Sequence, residues 1–411
     1  MASNNLKGII ELGNIYFKCI IFQINSDNKS KILSNSMTQS EGIHNGVVVD
    51  LAKASNSIRS CIGVAEKKSN VMLKKISVIL EQPEFLCTKL SKNRKIDGAK
   101  ILREDIEFLL REAKKQVIMN DQNQSIIHIF NHNYIVDGKK FIEEPIDVYA
   151  NYLSHEITFL TMPKNNIKNI EQAFINCDIE IERYISCTFA LAAELLSNNE
   201  LQYGSMLVDF GYEKISLGLF KNLSLVHSAT LPIGVNHIAK DISKVCLLNL
   251  QESEIIRNKI DFSFRNNNEL FNENGDLRNV FFKDSGFRKI SKSLILNIAK
   301  ARLDEIFQKI KKHVIIKELN SSSGTNLFIT GGGSNLLNLE KYCSDFFGFN
   351  VKKLHNNNQK GNYKDFKGNF TSCLGALKII TDGWDTEAIP KSASRNSQKI
   401  GFFANIFRNL T

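Results

Sequence analysis

The sequence predicts an α/β fold made of two homologous domains, and two observations lead to this prediction. First, apolar strand-like runs alternate along the chain with segments of helical spacing. Second, an order of strand, acidic residue, any residue, glycine and strand occurs at Glu11 and Gly13, and again at Asp209 and Gly211. Because this repeat is about 200 residues long, far beyond a solenoid period, it indicates domain duplication.

The elements follow one another in a regular order. In the first half we expect strands at 8–22 (a hairpin that turns at Gly13), 76–80, 126–136, 156–162 and 179–185, with helices at 51–68, 97–120, 167–174 and 191–196. In the second half we expect strands at 205–208, 215–220, 223–230 and 326–330, a tight turn at 209–211, and a long amphipathic helix or helix pair at 290–314.

Composition restricts the class of protein. Of 411 residues, 43% are hydrophobic and 23% charged, which is typical of a soluble globular protein and excludes a disordered or collagen-like chain. No apolar run reaches the roughly 20 residues that span a bilayer, and the first residues show no secretory pattern. Eight cysteines without a CxxC pair favour neither a disulfide framework nor a zinc site, so we expect a reduced cytosolic protein.

The net charge of +10 comes from 53 basic and 43 acidic residues. The basic residues are dispersed, and no Lys/Arg tract has interleaved aromatic residues, so we expect no nucleic-acid partner. A generally high lysine content explains most of this charge. An anionic partner, such as a lipid surface or an acidic peptide, is the alternative explanation.

Glycine turns that follow apolar strands form the candidate chemical site. Besides the two turns above, a third contains Gly331, Gly332 and Gly333. Glycine lets a backbone approach a phosphate closely, and the N–H groups of such a turn form an anion-binding nest. An acidic residue at a strand end can hold Mg²⁺ through water. Three such turns in this order therefore predict a nucleotide site in which the first two clamp the phosphates.

Together with these turns, several other segments resemble the FtsA family of actin-like bacterial division proteins. The order and spacing of the segments extend this resemblance over nearly the whole chain. The segments are 41–50 (EGIHNGVVVD), 134–137 (YIVD) followed by 142–146 (IEEPI), 231–234 (LPIG) followed by Asp241 and Ile242, 301–306 (ARLDEI) and 327–333 (LFITGGG).

The resemblance implies an actin-like fold, in which two ribonuclease-H-like domains surround a nucleotide cleft, with an inserted α+β subdomain. The expected boundaries follow from it. They are 1–86 with 163–204 for the first domain, 87–162 for the insert, 205–380 for the second domain with a smaller subdomain at about 240–315, 381–397 for a linker, and 398–411 for an amphipathic membrane-targeting helix.

The first phosphate loop departs from the family pattern D-x-G-[ST]-[ST]-K. Ile15 replaces a hydroxyl donor, and Tyr16 replaces the lysine that would neutralise phosphate charge. Lys18 lies two residues further along, on the same strand face but at a shifted height. The nucleotide-binding residues that the resemblance still implies in this loop are Glu11 (in place of the family's Asp), Gly13 and Asn14.

The second loop departs further from its pattern, D-x-G-G-G-T-T. Tyr212 and Glu213 replace two glycines, both threonines are lost, and Val235 replaces another glycine. A Cβ atom restricts backbone positions that favour positive φ, and Glu213 would place a negative charge near a polyphosphate. The residues that the resemblance implies in this half are Asp209 (Mg²⁺ through water, or simply a turn residue), Gly211, Lys214 (which could swing toward a phosphate), Gly234, Glu254, Arg257, Gly331, Gly332 and Gly333.

ATP with Mg²⁺ is the cofactor that the family implies, and the altered loops predict that ATP binding is weakened or lost. The missing lysine and glycine nest would have supplied charge-assisted hydrogen bonds worth roughly 1.5–3 kcal/mol each. Retained binding is the open alternative, whereas nothing replaces the lost hydroxyls and efficient hydrolysis is not expected. Glu254 and Arg257, spaced i,i+3, match the family's ribose contact, with a surface ion pair as the alternative.

The last residues form a second functional element. Apolar residues recur at i, i+3, i+4 and i+7 from Phe403, which predicts a helix at 399–410 about 18 Å long. Such a helix is too short to span a bilayer but suits the membrane interface. The four basic residues of 388–411, unaccompanied by acidic ones, favour an anionic leaflet; docking on the protein's own body is the alternative. The predicted membrane-binding residues are Lys399, Ile400, Phe402, Phe403, Ile406, Phe407 and Leu410.

The resemblance implies a non-enzymatic adaptor that tethers polymers of the tubulin-like FtsZ to the bacterial inner membrane at the division site. It also implies recruitment of later division proteins and self-association into an actin-like filament. An actin-fold phosphotransferase and a pilus-assembly ATPase-like protein are the alternatives, and the degenerate loops, the insert and the apolar tail argue against them. The acidic C-terminal peptide of FtsZ is expected to bind basic residues that alternatively form only solvated helix faces: Arg288, Lys289, Lys292, Lys300 and Arg302.

Overall fold

The computed structural model describes residues 6–25, 29–262, 290, 292–314, 326–348, 350–354 and 370–388. The strands in these ranges are β1 (Leu6–Leu12), β2 (Tyr16–Ile24), β3 (Ser30–Gln39), β4 (Ile43–His44), β5 (Val47–Val48), β6 (Lys75–Leu80), β7 (Leu86–Lys95), β8 (Gln124–Val136), β9 (Lys139–Phe141), β10 (Tyr152–Pro163), β11 (Glu180–Ser186), β12 (Ser205–Phe210), β13 (Ile215–Lys221), β14 (Ser224–Leu231), β15 (Asn326–Thr330) and β16 (Val351–Lys353). The α-helices are α1 (Leu51–Ser69), α2 (Arg103–Asn120), α3 (Lys164–Ile175), α4 (Cys187–Leu195), α5 (Asn198–Tyr203), α6 (Asn236–Cys246), α7 (Leu250–Arg257), α8 (Lys292–Val314), α9 (Leu339–Phe347) and α10 (Thr371–Asp382). A short 3₁₀ helix covers Gly332–Asn335.

The chain divides into two compact units. The first contains the described residues within Met1–Ser205, Gly218–Thr230 and His355–Thr411, and the second contains those within Met206–Leu217 and Leu231–Leu354. Each unit therefore gathers segments that are far apart in sequence. Each also carries one of the two acidic–glycine turns that the sequence singles out.

The first sheet has the order β11–β6–β1–β2–β3 and carries the first predicted hairpin. β1 pairs antiparallel with β2, which places Glu11 opposite Lys18, whereas β6 runs parallel to both β1 and β11. The continuous apolar runs of β1 and β6 are buried in one core that includes Ile10 and Val78. The hairpin predicted at 8–22 and the strand at 76–80 are confirmed.

The helix predicted at 51–68 is also confirmed, as α1. It begins where the Asp50 carboxylate accepts a hydrogen bond from the Lys53 N–H at 3.0 Å, an N-cap. One apolar face, which includes Ile58 and Ile62, enters the same core as β1 and β6. Asp50 therefore has a structural role in the segment 41–50 that carries part of the family resemblance.

A second sheet has the order β7–β10–β8–β9, with antiparallel pairing throughout. Helix α2 packs against this sheet, and the two share a core that includes Leu109, Leu110 and Phe159. This strand-and-helix unit is the α+β insert that the resemblance implies.

The predicted start of the helix at residue 97 is wrong, because α2 begins only at Arg103. The preceding residues pair with the segment before β10. The Gly98 N–H donates to the Ala150 carbonyl at 2.9 Å, and the Ile101 N–H donates to the Val148 carbonyl at 2.9 Å. These hydrogen bonds hold a turn at Asp97 and Gly98 followed by a short strand-like pairing of Lys100 with Tyr149, so the helix is about one and a half turns shorter than the helical spacing predicts.

The third sheet has the order β14–β13–β12–β15–β16, with β15 and β16 parallel. Strand β12 continues to Phe210, which is buried and packs edge-to-face against Phe307. The expectation of a turn at 209–211 is therefore corrected: Asp209 and Phe210 end the strand, and the turn consists of 211–214. The long amphipathic segment predicted at 290–314 is a single helix, α8.

The amphipathic helix predicted at 398–411 lies outside the described residues. Within the part of the chain that the structure describes, no helix is long and apolar enough to cross a membrane. The linker predicted at 381–397 begins too early, because α10 continues to Asp382 and 384–388 belong to the first unit.

Candidate functional site

In the first unit, the acidic residue of the phosphate loop is already bound by the protein. Lys18 forms an ion pair with Glu11, with 2.9 Å between Nζ and Oε2, and the Ser372 hydroxyl donates to the same oxygen at 2.7 Å. Burial alone would lower the pKa of Lys18, but the Glu11 carboxylate raises it above its ordinary value. Lys18 is therefore paired with Glu11 in this structure and does not replace the phosphate-binding lysine that is lost at Tyr16.

The turn of the same hairpin is linked to a neighbouring turn by two asparagines. The Asn14 side-chain amide donates to Asn45 Oδ1 at 2.9 Å, and the Asn45 backbone N–H donates to Asn14 Oδ1 at 3.0 Å. Two of the polar atoms of Asn14 are thus used within the protein. Ile15 and Tyr16, at the tip, are exposed.

In the second unit, the turn 211–214 packs on the start of α6. The Val235 N–H donates to the Gly211 carbonyl at 3.1 Å, and the Asn236 N–H donates to the Tyr212 carbonyl at 2.8 Å. Neither Tyr212 nor Glu213 has a positive φ, so the turn does not use the glycine conformations that the family loop allows. The first backbone donors of α6 are directed at protein carbonyls.

The Glu213 carboxylate is neutralised locally. The Asn236 side chain donates to Glu213 Oε1 at 2.7 Å, and Lys240 approaches Oε2 to 2.9 Å. Burial favours the protonated form of Glu213, but the contacts of Asn236 and Lys240 outweigh it and lower the pKa of this carboxyl. Glu213 is therefore a charged residue at neutral pH, and it engages the first two turns of α6.

Two residues of the predicted nucleotide site, Glu254 and Arg257, lie beside Tyr212, which replaces a family glycine, and we call these three residues the Tyr212 cluster. The Tyr212 hydroxyl donates to the Glu254 carboxylate, and the Arg257 guanidinium lies over the Tyr212 ring, 5.8 Å from its centroid. Burial and then the Glu254 carboxylate raise the pKa of Tyr212 to about 12. Arg257 itself is only 7% exposed, and this burial lowers its pKa. Glu254 and Arg257 therefore do not form the surface ion pair that the sequence offered as the alternative. They belong to a half-buried cluster in which Tyr212 contacts both of them.

The glycine turn after β15 approaches β12 closely. Gly331 has φ of +88°, and a Cβ atom there would collide with the Asp209 carboxylate. A Cβ atom at Gly333 would collide with the Val235 side chain, which is 4% exposed, whereas Gly332 has open space around its Cα. The structure therefore brings Asp209, Gly331 and Gly333 together, and it places Val235 where the family pattern has a glycine.

Comparisons with known proteins assign the chain. The family model "Cell division protein FtsA" matches 206–374, and the model "SHS2 domain inserted in FTSA" matches 86–161. The cell division protein FtsA of Buchnera aphidicola subsp. Baizongia pistaciae is 25% identical across 86% of this chain and 87% of its own length. The chain belongs to the FtsA family. Its inserted subdomain is the sheet β7–β10–β8–β9 with α2.

Solved structures confirm the actin-like fold of this FtsA-family chain. The PilM–PilN type IV pilus biogenesis complex superposes with a TM-score of 0.61 and 12% identity, over 92% of this chain and 97% of that one. The MreB5 protein of Spiroplasma citri bound to ADP gives 0.53 and 12%, over 92% and 97%. At such low identity the likeness concerns the fold alone.

The candidate FtsZ-binding residues are only partly described. Arg302 is held by Asp241, with Nε–Oδ2 of 2.5 Å and Nη2–Oδ1 of 2.9 Å, and it also contacts Glu305. Lys300 lies over the Tyr342 ring at 5.8 Å. Arg288, Lys289, the side chain of Lys292 and all the predicted membrane-binding residues of the tail lie outside the described residues.

Sequence reasoning missed a buried ionic cluster that anchors the segment 384–388 of this FtsA-family chain. Glu387 is 2% exposed; its Oε1 lies 2.5 Å from His128 Nδ1 and 2.8 Å from Arg183 Nη2. Arg183 and His128 outweigh the effect of burial and lower the pKa of Glu387. The three residues are far apart in sequence, so no local pattern signals the cluster. Tyr212 and Val235, by contrast, are marked in the sequence as departures from the family's glycines.

Proposed function

We propose that the chain is a non-enzymatic, actin-like adaptor that tethers FtsZ polymers to the cytoplasmic face of the inner membrane at the division site. The observation that carries this proposal is the match to FtsA at 206–374 combined with the FtsA-type insert at 86–161. Recruitment of later division proteins and self-association into an actin-like filament belong to the same proposal.

The membrane arm of the proposal rests on the sequence of the tail. Residues 399–410 combine a helical apolar pattern with basic residues and no acidic ones. Each basic residue near an anionic surface contributes about 1 kcal/mol, and the apolar face adds burial at the acyl boundary. Reversible attachment through such a segment suits a protein that must gather at one place on the membrane.

The FtsZ arm rests on family membership and on positive charge in the second unit. Lys300 and Arg302 lie on α8, and an acidic peptide would be attracted to such a helix. A pilus-assembly role is the second candidate, because the PilM–PilN complex shares the fold. The FtsA-type insert and the apolar tail favour the division function.

Vesicle flotation tests the membrane arm. We expect the full chain to float with vesicles that contain anionic lipid, and deletion of 399–411 or the double variant Phe403→Asp/Phe407→Asp to leave it in the bottom fraction. The matched control is Met119→Asp/Tyr203→Asp, which places the same charges at side chains that are 76% and 77% exposed. Unchanged flotation of the tail variants would contradict the proposal.

A further inference from the structure

We infer that the second unit keeps its nucleotide positions filled with its own side chains, so that this chain acts without ATP. Three separate sets of contacts lead to this inference: at the phosphate position, at the ribose position and at the glycine turn 331–333 of the predicted nucleotide site. All three lie within the second unit. The inference does not depend on tethering, since it is tested on the protein alone.

At the phosphate position, the backbone donors and the local charge are both unfavourable. A phosphate nest needs N–H groups that point at the anion, but the Val235 and Asn236 N–H groups donate to the carbonyls of the turn itself. Glu213 adds a carboxylate that is ionised at neutral pH, and Lys240 is already paired with it. An incoming polyphosphate would meet like charge here, in surroundings partly shielded from water.

At the ribose position, the Tyr212 cluster takes up the groups that would bind the sugar. The Glu254 carboxylate accepts a hydrogen bond from the Tyr212 hydroxyl, and the Tyr212 ring lies under the Arg257 guanidinium. A ribose would have to break the hydrogen bond and displace a half-buried ring. The family loop has a glycine at this position, so it has neither the hydrogen bond to Glu254 nor the ring in the way of a ribose.

At the glycine turn 331–333, the Val235 side chain fills the space beside Gly333. Even a methyl group at Gly333 would overlap the valine, so the two are in close contact. In the family pattern position 235 is glycine, which leaves that space open. The substitution thus closes the approach to the turn with apolar packing.

In the first unit, considered separately, the polar residues of the predicted phosphate loop are also bound by other side chains. Glu11 is bound by Lys18 and Ser372, and Asn14 is bound by Asn45. The groups that would hold Mg²⁺ or phosphate there are engaged in the protein. In both units, therefore, the residues at the nucleotide positions do not fit ATP in the way that the family implies.

Calorimetric titration of the full chain with MgATP tests the inference. We expect no saturable binding with a dissociation constant below about 1 mM. Hydrogen exchange of the wild-type chain provides an independent readout, and we expect the same protection at 209–213 and 331–335 with and without MgATP. Micromolar binding, or increased protection of these segments by MgATP, would overturn the inference.

A variant that removes the obstacles tests which side chains are responsible. Tyr16→Lys/Tyr212→Gly/Glu213→Gly/Val235→Gly should bind MgATP at least tenfold more tightly than the wild type, because it restores a lysine, the glycines and the open turn. Tyr203→Gly is the control, since it removes an exposed tyrosine elsewhere, and it should gain nothing. If the quadruple variant keeps the wild-type circular dichroism but gains no affinity, the assignment of these side chains is wrong.

Discussion

Arg302 has a structural contact and a proposed binding role. Its guanidinium binds Asp241 through two hydrogen bonds and also contacts Glu305, and the Asp241 contact raises its pKa. Asp241 and Arg302 both belong to segments that carry the family resemblance, so their pairing gives these segments a structural role. The proposed contact with FtsZ would use the same side chain.

Charge reversal separates these two roles. We predict that Lys292→Glu/Arg302→Glu weakens binding of the acidic C-terminal FtsZ peptide about tenfold, or about 1.4 kcal/mol, because two attractive charges become repulsive. Fluorescence anisotropy of a labelled peptide measures this affinity. Arg302→Glu should also lower stability, since it leaves three carboxylates together.

The control for this prediction is Asp241→Asn, which weakens the ion pair and leaves Arg302 in place. It should lower stability while peptide affinity is kept. If the peptide binds the charge-reversed variant as tightly as the wild type, α8 is not the binding site. If Asp241→Asn loses as much affinity as the charge-reversed variant, the effect is structural.

At the scale of elements, the segment 384–388 pairs antiparallel with the edge of β8. The Asn131 N–H donates to the Thr386 carbonyl and the Ala388 N–H donates to the Ile129 carbonyl, each at 2.8 Å. The Trp384 indole donates to the Leu223 carbonyl at 2.6 Å. This pairing covers the edge of β8 at 129–131.

Glu387 is the residue whose replacement should release this segment. We predict that Glu387→Gln lowers the stability of the segment by about 3 kcal/mol, because it breaks a buried ion pair and leaves Arg183 without its carboxylate. Faster hydrogen exchange at the Asn131 and Ala388 amides measures the release. Asp385→Asn, at an exposed carboxylate of the same segment, is the control and should change neither amide.

The same variant has a predicted pH dependence. Because the folded pKa of Glu387 is lowered, its stabilisation is complete above the unfolded value of about 4.3 and is lost as the pH falls through the folded value. Wild type and Glu387→Gln should therefore differ most near neutral pH and converge in acid. A difference that stays constant from neutral pH to pH 3 would contradict this account.

Most elements could be predicted from the sequence because their signals are local. The hairpin β1–β2 follows from two apolar runs around Gly13, and helix α1 follows from helical apolar spacing and capping by Asp50. The start of α2 could not be predicted in this way, because the pairing of 98–101 with 147–151 depends on residues about 50 positions away. Anchoring of 384–388 by His128 and Arg183 is a still longer-range effect.

At the scale of the whole molecule, duplication and insertion account for the fold. The two acidic–glycine turns occur in equivalent strand–turn–strand settings, one in each unit, and the FtsA-type insert lies between 86 and 161. The positions of the candidate site followed from this pattern. The contacts at those positions did not, because the side chains that replace the glycines find partners on α6 and α7, which the loop sequence does not specify.

Co-flotation of FtsZ tests the central claim, membrane tethering, most directly. Purified FtsZ polymers are mixed with vesicles that contain anionic lipid, with or without the full chain, and in the absence of ATP. We predict that FtsZ floats only when the full chain is present, and that the Phe403→Asp/Phe407→Asp variant leaves FtsZ in the bottom fraction. If the full chain floats with the vesicles while FtsZ stays at the bottom, the chain is not a tether for FtsZ.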